Sequence, residues 1–128
     1  YSPPRDRIVE SLYPDGKDTE IYFSLDPREV SNCKIKIESV EFYDIMNGDE
    51  WIGVGEAKKD YYIPCKVGQT IQIIEAAATP TYEVIVMEVP DGSGENGDVV
   101  ARYIGLRVKD YRDSDYPWEN VFAVRIVR

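Results

Sequence analysis

The side chains best placed to do chemistry in this sequence are carboxylates in turns. Of its 24 Asp and Glu residues, 13 fall in four turn-rich stretches: Asp15, Asp18 and Glu20; Asp44, Asp49 and Glu50; Asp91, Glu95 and Asp98; and Asp110, Asp113, Asp115 and Glu119. Acidic loops on a rigid scaffold suit calcium, which takes about six to eight hard oxygen ligands in adaptable geometry. Asp44, Asp49, Glu50, Asp91, Glu95, Asp98, Asp110, Asp113 and Asp115 are therefore candidate calcium ligands, the alternative being ordinary solvated turns. The stretch from Asp91 to Asp98 begins like an EF-hand loop, but Arg102 stands where the bidentate Glu belongs and strand-forming residues flank it. It is not an EF-hand. Tyr111, Tyr116 and Trp118 lie among the last acidic group and, with Trp51, have flat faces that could stack on the rings of a glycan. Such rings serve equally well to close a core or a subunit contact.

Other chemistries are excluded by composition. The chain has no histidine, which removes Ser-His-Asp and Cys-His nucleophiles and histidine-bound catalytic metals. A glycosidase carboxylate pair needs a cleft with two walls, for which a 128-residue chain has little material. The expectation is a protein without enzymatic activity. With 15 basic and 24 acidic residues the formal net charge is -9, the wrong sign for a nucleic-acid surface. No apolar run approaches the roughly 18 residues of a membrane-spanning helix.

The residues that must position these groups are those of a β protein. Val (14), Ile (13) and Tyr (10) dominate the apolar set, against 3 Leu and 6 Ala. β-branched and aromatic side chains fit a pleated surface better than a helix. Turn signals recur at Pro14-Asp15-Gly16, Asp26-Pro27, Asn47-Gly48-Asp49, Val67-Gly68, Thr79-Pro80, Pro90 to Asp98 and Asp110 to Asn120. They divide the chain into seven or eight strands, the pattern of a single antiparallel β-sandwich or jelly roll. Ile21, Phe23 and Leu25 alternate with polar neighbours, as do Phe122, Val124 and Ile126, so each run buries one face. Glu83 to Val89 is apolar on both faces, as a covered central strand would be. Cys33, Ile35 and Ile37 share one phase and Val40 and Phe42 the other, which predicts a β-bulge near Glu38-Ser39. A hairpin of Cys33–Tyr43 with Trp51–Cys65 about Gly48-Asp49 would set Cys33 opposite Cys65, since both are equally far from Asp49. That placement predicts a disulfide; two buried thiols are the alternative.

Residues 1–13 read as an extended arm before a domain of residues 14–128. Ser2-Pro3-Pro4 favours an extended chain, and Ile8, Val9, Leu12 and Tyr13 follow in a strand-capable segment. This segment either forms the first strand of its own sheet or pairs with an exposed edge on a neighbouring subunit. A start at Tyr1 without an initiator Met is the pattern of an exported chain after leader removal, and the expected location is extracellular or cell-surface. Few thermolabile side chains, many ions and 8 Pro match a thermophile's composition.

The extended start from Tyr1 to Tyr13, the Val/Ile/Tyr-rich strands and the acidic turns resemble the exported jelly-roll subunits of prokaryotic donor-strand fibres and of the cannula tubes of hyperthermophilic archaea. That resemblance implies a homopolymer joined through the arm, with calcium assisting assembly. The size and Asp-rich loops also resemble those of C2 domains, although a run of C2 loop motifs and a polybasic patch are both missing.

Overall fold

The computed structural model describes residues 11–14, 18–23, 27–39, 43–54, 59–74, 80–90, 102–112 and 122–128. Nine strands occur among them: β1 (Thr19–Phe23), β2 (Lys34–Ser39), β3 (Asp44–Asn47), β4 (Glu50–Gly53), β5 (Asp60–Pro64), β6 (Thr70–Ile74), β7 (Tyr82–Pro90), β8 (Arg102–Asp110) and β9 (Phe122–Val127). A 3-10 helix, Pro27–Asn32, precedes β2. The strands form two antiparallel sheets, one of six strands in the order β1-β8-β7-β6-β3-β4 and one of three in the order β5-β2-β9. The chain is an all-β sandwich.

Alternation builds the core. Ile35, Ile37, Ile63, Val124 and Ile126 from the small sheet join Ile45, Ile71, Ile73, Val84, Val86, Ile104, Leu106 and Val108 from the large sheet in one buried cluster. β7 is an interior strand, as its two apolar faces predict: Val84 and Val86 are fully buried inside, while Ile85, Met87 and Val89 are partly buried on the outer face. The β7–β8 hairpin supplies nine consecutive pairs, from Tyr82↔Asp110 to Pro90↔Arg102. Val30 of the 3-10 helix packs on the core, and the helix contacts β8.

The middle of the chain differs from the expected long hairpin. β3 and β4 do turn about Gly48-Asp49, with Gly48 at φ 60°, but they belong to the large sheet. β2 and β5 pair with each other in the small sheet, Lys34↔Pro64 through Glu38↔Asp60. The expected hairpin is thus split between the two layers, because the chain changes sheet after β2 and returns before β5. This adds strands beyond the seven or eight expected. β2 pairs regularly with β9 as far as Ser39, with no bulge at Glu38-Ser39, and Val40 and Phe42, which carry the other phase, lie outside the described residues. The register shift lies instead between Ile45 and Met46 in the β3–β4 pair.

The arm is described from residue 11. Leu12 makes an antiparallel bridge with Val124: the Leu12 N–H donates to the Val124 carbonyl at 2.9 Å, and the Leu12 carbonyl accepts from the Val124 N–H at 3.0 Å. Leu12 packs on the core and Tyr13 is 52% exposed, while Ile8 and Val9 lie outside the described residues.

Gly53, buried in β4, lets the two layers approach. A β-carbon there would lie 2.4 to 2.5 Å from Cε1, Cζ and Oη of Tyr61, a buried ring on β5 of the opposite sheet. Gly53→Ala is expected to destabilise the fold by about 1–3 kcal/mol through overpacking, measurable as a lower denaturation midpoint in urea.

Candidate functional site

The register places the acidic candidates at different points of the large sheet. Asp44 opens β3 opposite Ile74, at the same end as Asp18 and Asp110. Asp49 and Glu50 occupy the turn at the far end of β3, about 13 Å away along the strand. Calcium holds its ligands within about 2.3–2.6 Å, so Asp44, Asp49 and Glu50 do not share an ion. Among the described residues no three ligating side chains gather into a group that could hold a metal. Asp91, Glu95, Asp98, Asp113 and Asp115 lie outside the described residues.

Asp110 has a different partner. The inward phase of β8 runs Ile104, Leu106, Val108 and then on to Asp110 and Arg112, so both charged residues continue the core face. Their side chains are only 2% and 4% exposed. Arg112 grips the carboxylate in a fork, Nη2 donating to Oδ2 at 2.9 Å and Nε to Oδ1 and Oδ2 at 3.2 Å each, while its backbone N–H donates to Oδ1 at 2.9 Å. Burial is the largest influence on Arg112 and works against its charge, but the hydrogen bonds to Asp110 together with the nearby charges of Tyr82, Asp110 and Tyr43 hold the guanidinium above its ordinary pKa. The guanidinium carbon lies 4.7 Å from the centre of the Tyr82 ring, and that ring meets Phe122 of β9 edge to face at 4.9 Å. Asp110, Arg112, Tyr82 and Phe122 therefore close one end of the sandwich and link its sheets. A carboxylate held in this way is committed to structure. The signal for it was present in the sequence, because Asp110 and Arg112 fall in phase with Ile104, Leu106 and Val108.

Other strand carboxylates are also matched within the chain. Arg107 pairs with Asp18 at 3.0 Å and with Glu20 at 3.6 Å across β1 and β8. On the outer face of the small sheet Glu38 contacts Lys36 at 2.9 Å and Arg125 at 2.8 Å, and Lys36 also reaches Asp60 at 3.6 Å. The hydrogen bond from Lys36, together with the nearby charge of Arg125, holds the Glu38 carboxyl below the ordinary glutamate range.

The aromatic candidates divide similarly. Trp51 is 53% exposed and sits opposite Met46 at the edge of the large sheet's outer face. From it a row of side chains crosses the sheet through Met46, Gln72, Glu83 and Lys109. Tyr111, 47% exposed, stands beside Glu83, and its hydroxyl is held above its ordinary pKa first by the hydrogen bond to Glu83. Trp51 and the Tyr111 end are four strand spacings apart, about 19 Å, too far for one sugar ring. Tyr116 and Trp118 lie outside the described residues.

An open depression of about 670 Å³, lined in part by Asn47, Gly48, Lys66, Gly68, Gln69 and Thr70, lies where the β3–β4 and β5–β6 turns meet. Gly68, at φ 82°, makes the second turn possible. Gln69 donates to Asn47 Oδ1 at 2.9 Å and accepts from the Lys66 N–H at 3.0 Å, so these walls bind each other. No protein-family model, curated protein or solved structure matches the chain.

Two outcomes are expected. Arg112→Ala leaves the Asp110 charge buried and unpaired and costs about 3 kcal/mol in urea unfolding, whereas Arg112→Met with Asp110→Asn costs less. For Glu38, the folded pKa lies below the unfolded one, so its contribution to stability is present above the ordinary glutamate value and is lost as pH falls through the folded value. The melting-temperature gap between wild type and Glu38→Gln is expected to hold near neutral pH and to close in melts taken at progressively lower pH, below the ordinary glutamate range.

Proposed function

We propose that this chain is a non-enzymatic structural subunit that assembles with copies of itself outside the cell. The N-terminal arm joins neighbours into a fibre or tube. The observation that supports this reading is the two-way backbone pairing of Leu12 with Val124, on the side of β9 away from β2. That side of a strand carries a row of N–H and C=O groups, and an extended segment satisfies them equally well from its own chain or from a neighbour's. Exchange of the arm between identical subunits turns an intrachain contact into a repeating head-to-tail one. Calcium at the remaining acidic turns, Asp49 and Glu50 with the stretches around Asp91–Asp98 and Asp113–Asp115, would lessen repulsion between subunits of charge -9.

A second reading is a glycan-binding module, favoured by the exposure of Trp51 at one end of a polar row on the outer face. Oligosaccharide titration followed by tryptophan fluorescence tests it, with Trp51→Ala expected to abolish the signal.

The assembly reading is tested by negative-stain microscopy and sedimentation of the protein with calcium and with chelator. Fibres or tubes are expected for the wild-type chain. They are expected to disappear on Leu12→Pro, which removes the donating N–H, with the β-sheet circular dichroism retained. Dispersed particles of the wild-type chain in both conditions, or unaltered polymers of the variant, would reject the arm as the joint.

A further inference from the structure

Cys33 and Cys65 are drawn together by two features that the fold sets independently. Cys33 follows the 3-10 helix and enters β2, and Cys65 follows Pro64 at the end of β5. The β2–β5 register, with Lys34 opposite Pro64, continues by one residue to set Cys33 opposite Cys65. The Cys65 N–H donates to the Cys33 carbonyl at 3.1 Å, which extends the ladder to this pair. The Cys33 N–H instead donates to Val30 in the 3-10 helix at 3.0 Å, so one backbone bond rather than two spans the cysteine pair. Both side chains point into the core in phase with Ile35 and Ile63, at 2% and 4% exposure, and both are thiols in the structure.

Residues opposed in this way have α-carbons about 5.5 Å apart, within the roughly 4.4–6.8 Å that disulfides span. Their β-carbons lie about 4.5–5.5 Å apart and must come to about 3.8 Å, a movement of roughly 1 Å. The end of a ladder held by a single bond on the edge strand β5 is the part of the sheet best able to make it.

We propose that Cys33 and Cys65 form a structural disulfide that fastens the edge strand β5 to β2 and encloses the β3–β4 hairpin of the opposite sheet within one covalent loop. The bond forms by exchange with a low-molecular-weight disulfide. One cysteine thiolate attacks that disulfide, giving a mixed disulfide and releasing one thiol. The second cysteine thiolate then attacks the mixed disulfide at the first cysteine's sulfur and releases the other thiol. Two protein thiols lose two hydrogens and one external disulfide is reduced to two thiols.

Burial determines when this happens. Both sulfurs are shielded from an external disulfide, at 2% and 4% exposure, and desolvation, with the charge of Cys33 nearby, pushes the Cys65 thiol up to about 12. The exchange therefore belongs to folding, before β5 closes over the pair. Once made, the bond is screened from reductant by the same burial.

The test is refolding of the reduced, unfolded 128-residue chain in a glutathione redox buffer, followed by intact mass measurement and by peptide mapping after alkylation. The expected product is lighter by the roughly 2 Da of two hydrogens, contains a Cys33–Cys65 cross-linked peptide, and melts roughly 10 °C higher than the reduced protein. It resists dithiothreitol until denaturant is added. A Cys65→Ser chain is expected to show no redox-dependent melting shift. Should that variant fail to fold, wild type refolded with and without oxidant gives the same comparison. Two fully alkylated cysteines after oxidative refolding, a stable glutathione adduct on either one, or a native-state bond reduced as fast as in denaturant would each overturn the proposal.

Discussion

The structure depends on one constraint: a narrow sheet must cover the apolar face of a wide one. Three strands carrying Ile35, Ile37, Ile63, Val124 and Ile126 lie against six whose inner positions are also aliphatic. Neither face is stable in water alone, because most of the free energy of an antiparallel sheet comes from burying one side. The mismatch in width leaves the β1–β8 side of the large sheet needing other cover, and the 3-10 helix, with Val30 packed on the core, lies against β8. At the other side the approach of the layers depends on Gly53, whose missing side chain makes room for Tyr61.

Covering both faces also shapes the connections. The chain leaves the small sheet after β2, builds β3 and β4 at the far edge of the large one, and returns as β5 beside β2. That excursion brings distant segments together at β2, which pairs with β5 on one side and β9 on the other. On its outer face Glu38 contacts both Lys36 and Arg125. Pairs of this kind are individually weak in water, and here the contacts across strands run diagonally, because the register sets Glu38 opposite Asp60 and Lys36 opposite Arg125.

The same economy of charge bears on function. A protein of charge -9 looks in sequence like a surface seeking cations, yet Asp18, Glu20, Glu38, Asp60 and Asp110 each have a cationic side chain from the same molecule. The strand faces are balanced internally. At the edge of the small sheet Leu12 makes an isolated bridge to Val124 of β9.

Much of this architecture was legible in the order of residues. The excess of Val, Ile and Tyr specified a β protein, the alternation in Phe122, Val124 and Ile126 specified an inner face, and the two-sided apolar run at Glu83–Val89 specified an interior strand. The opposition of Cys33 and Cys65 expected from their equal distance to Asp49 agrees with the β2–β5 register, although the single hairpin behind that expectation is split between the two sheets. Periodicity cannot say which sheet that is, since a strand of one layer and a strand of the other bury their inner faces identically. Only the tertiary structure therefore decided that β3 and β4 leave β2 and β5, that β1 lies beside β8, and that Asp44 and Asp49 stand at opposite ends of a strand. It also decided the role of Asp110, an acidic turn residue by composition and a buried ion-pair partner by position, because a side chain's chemistry depends on what the fold places within about 3 Å of it.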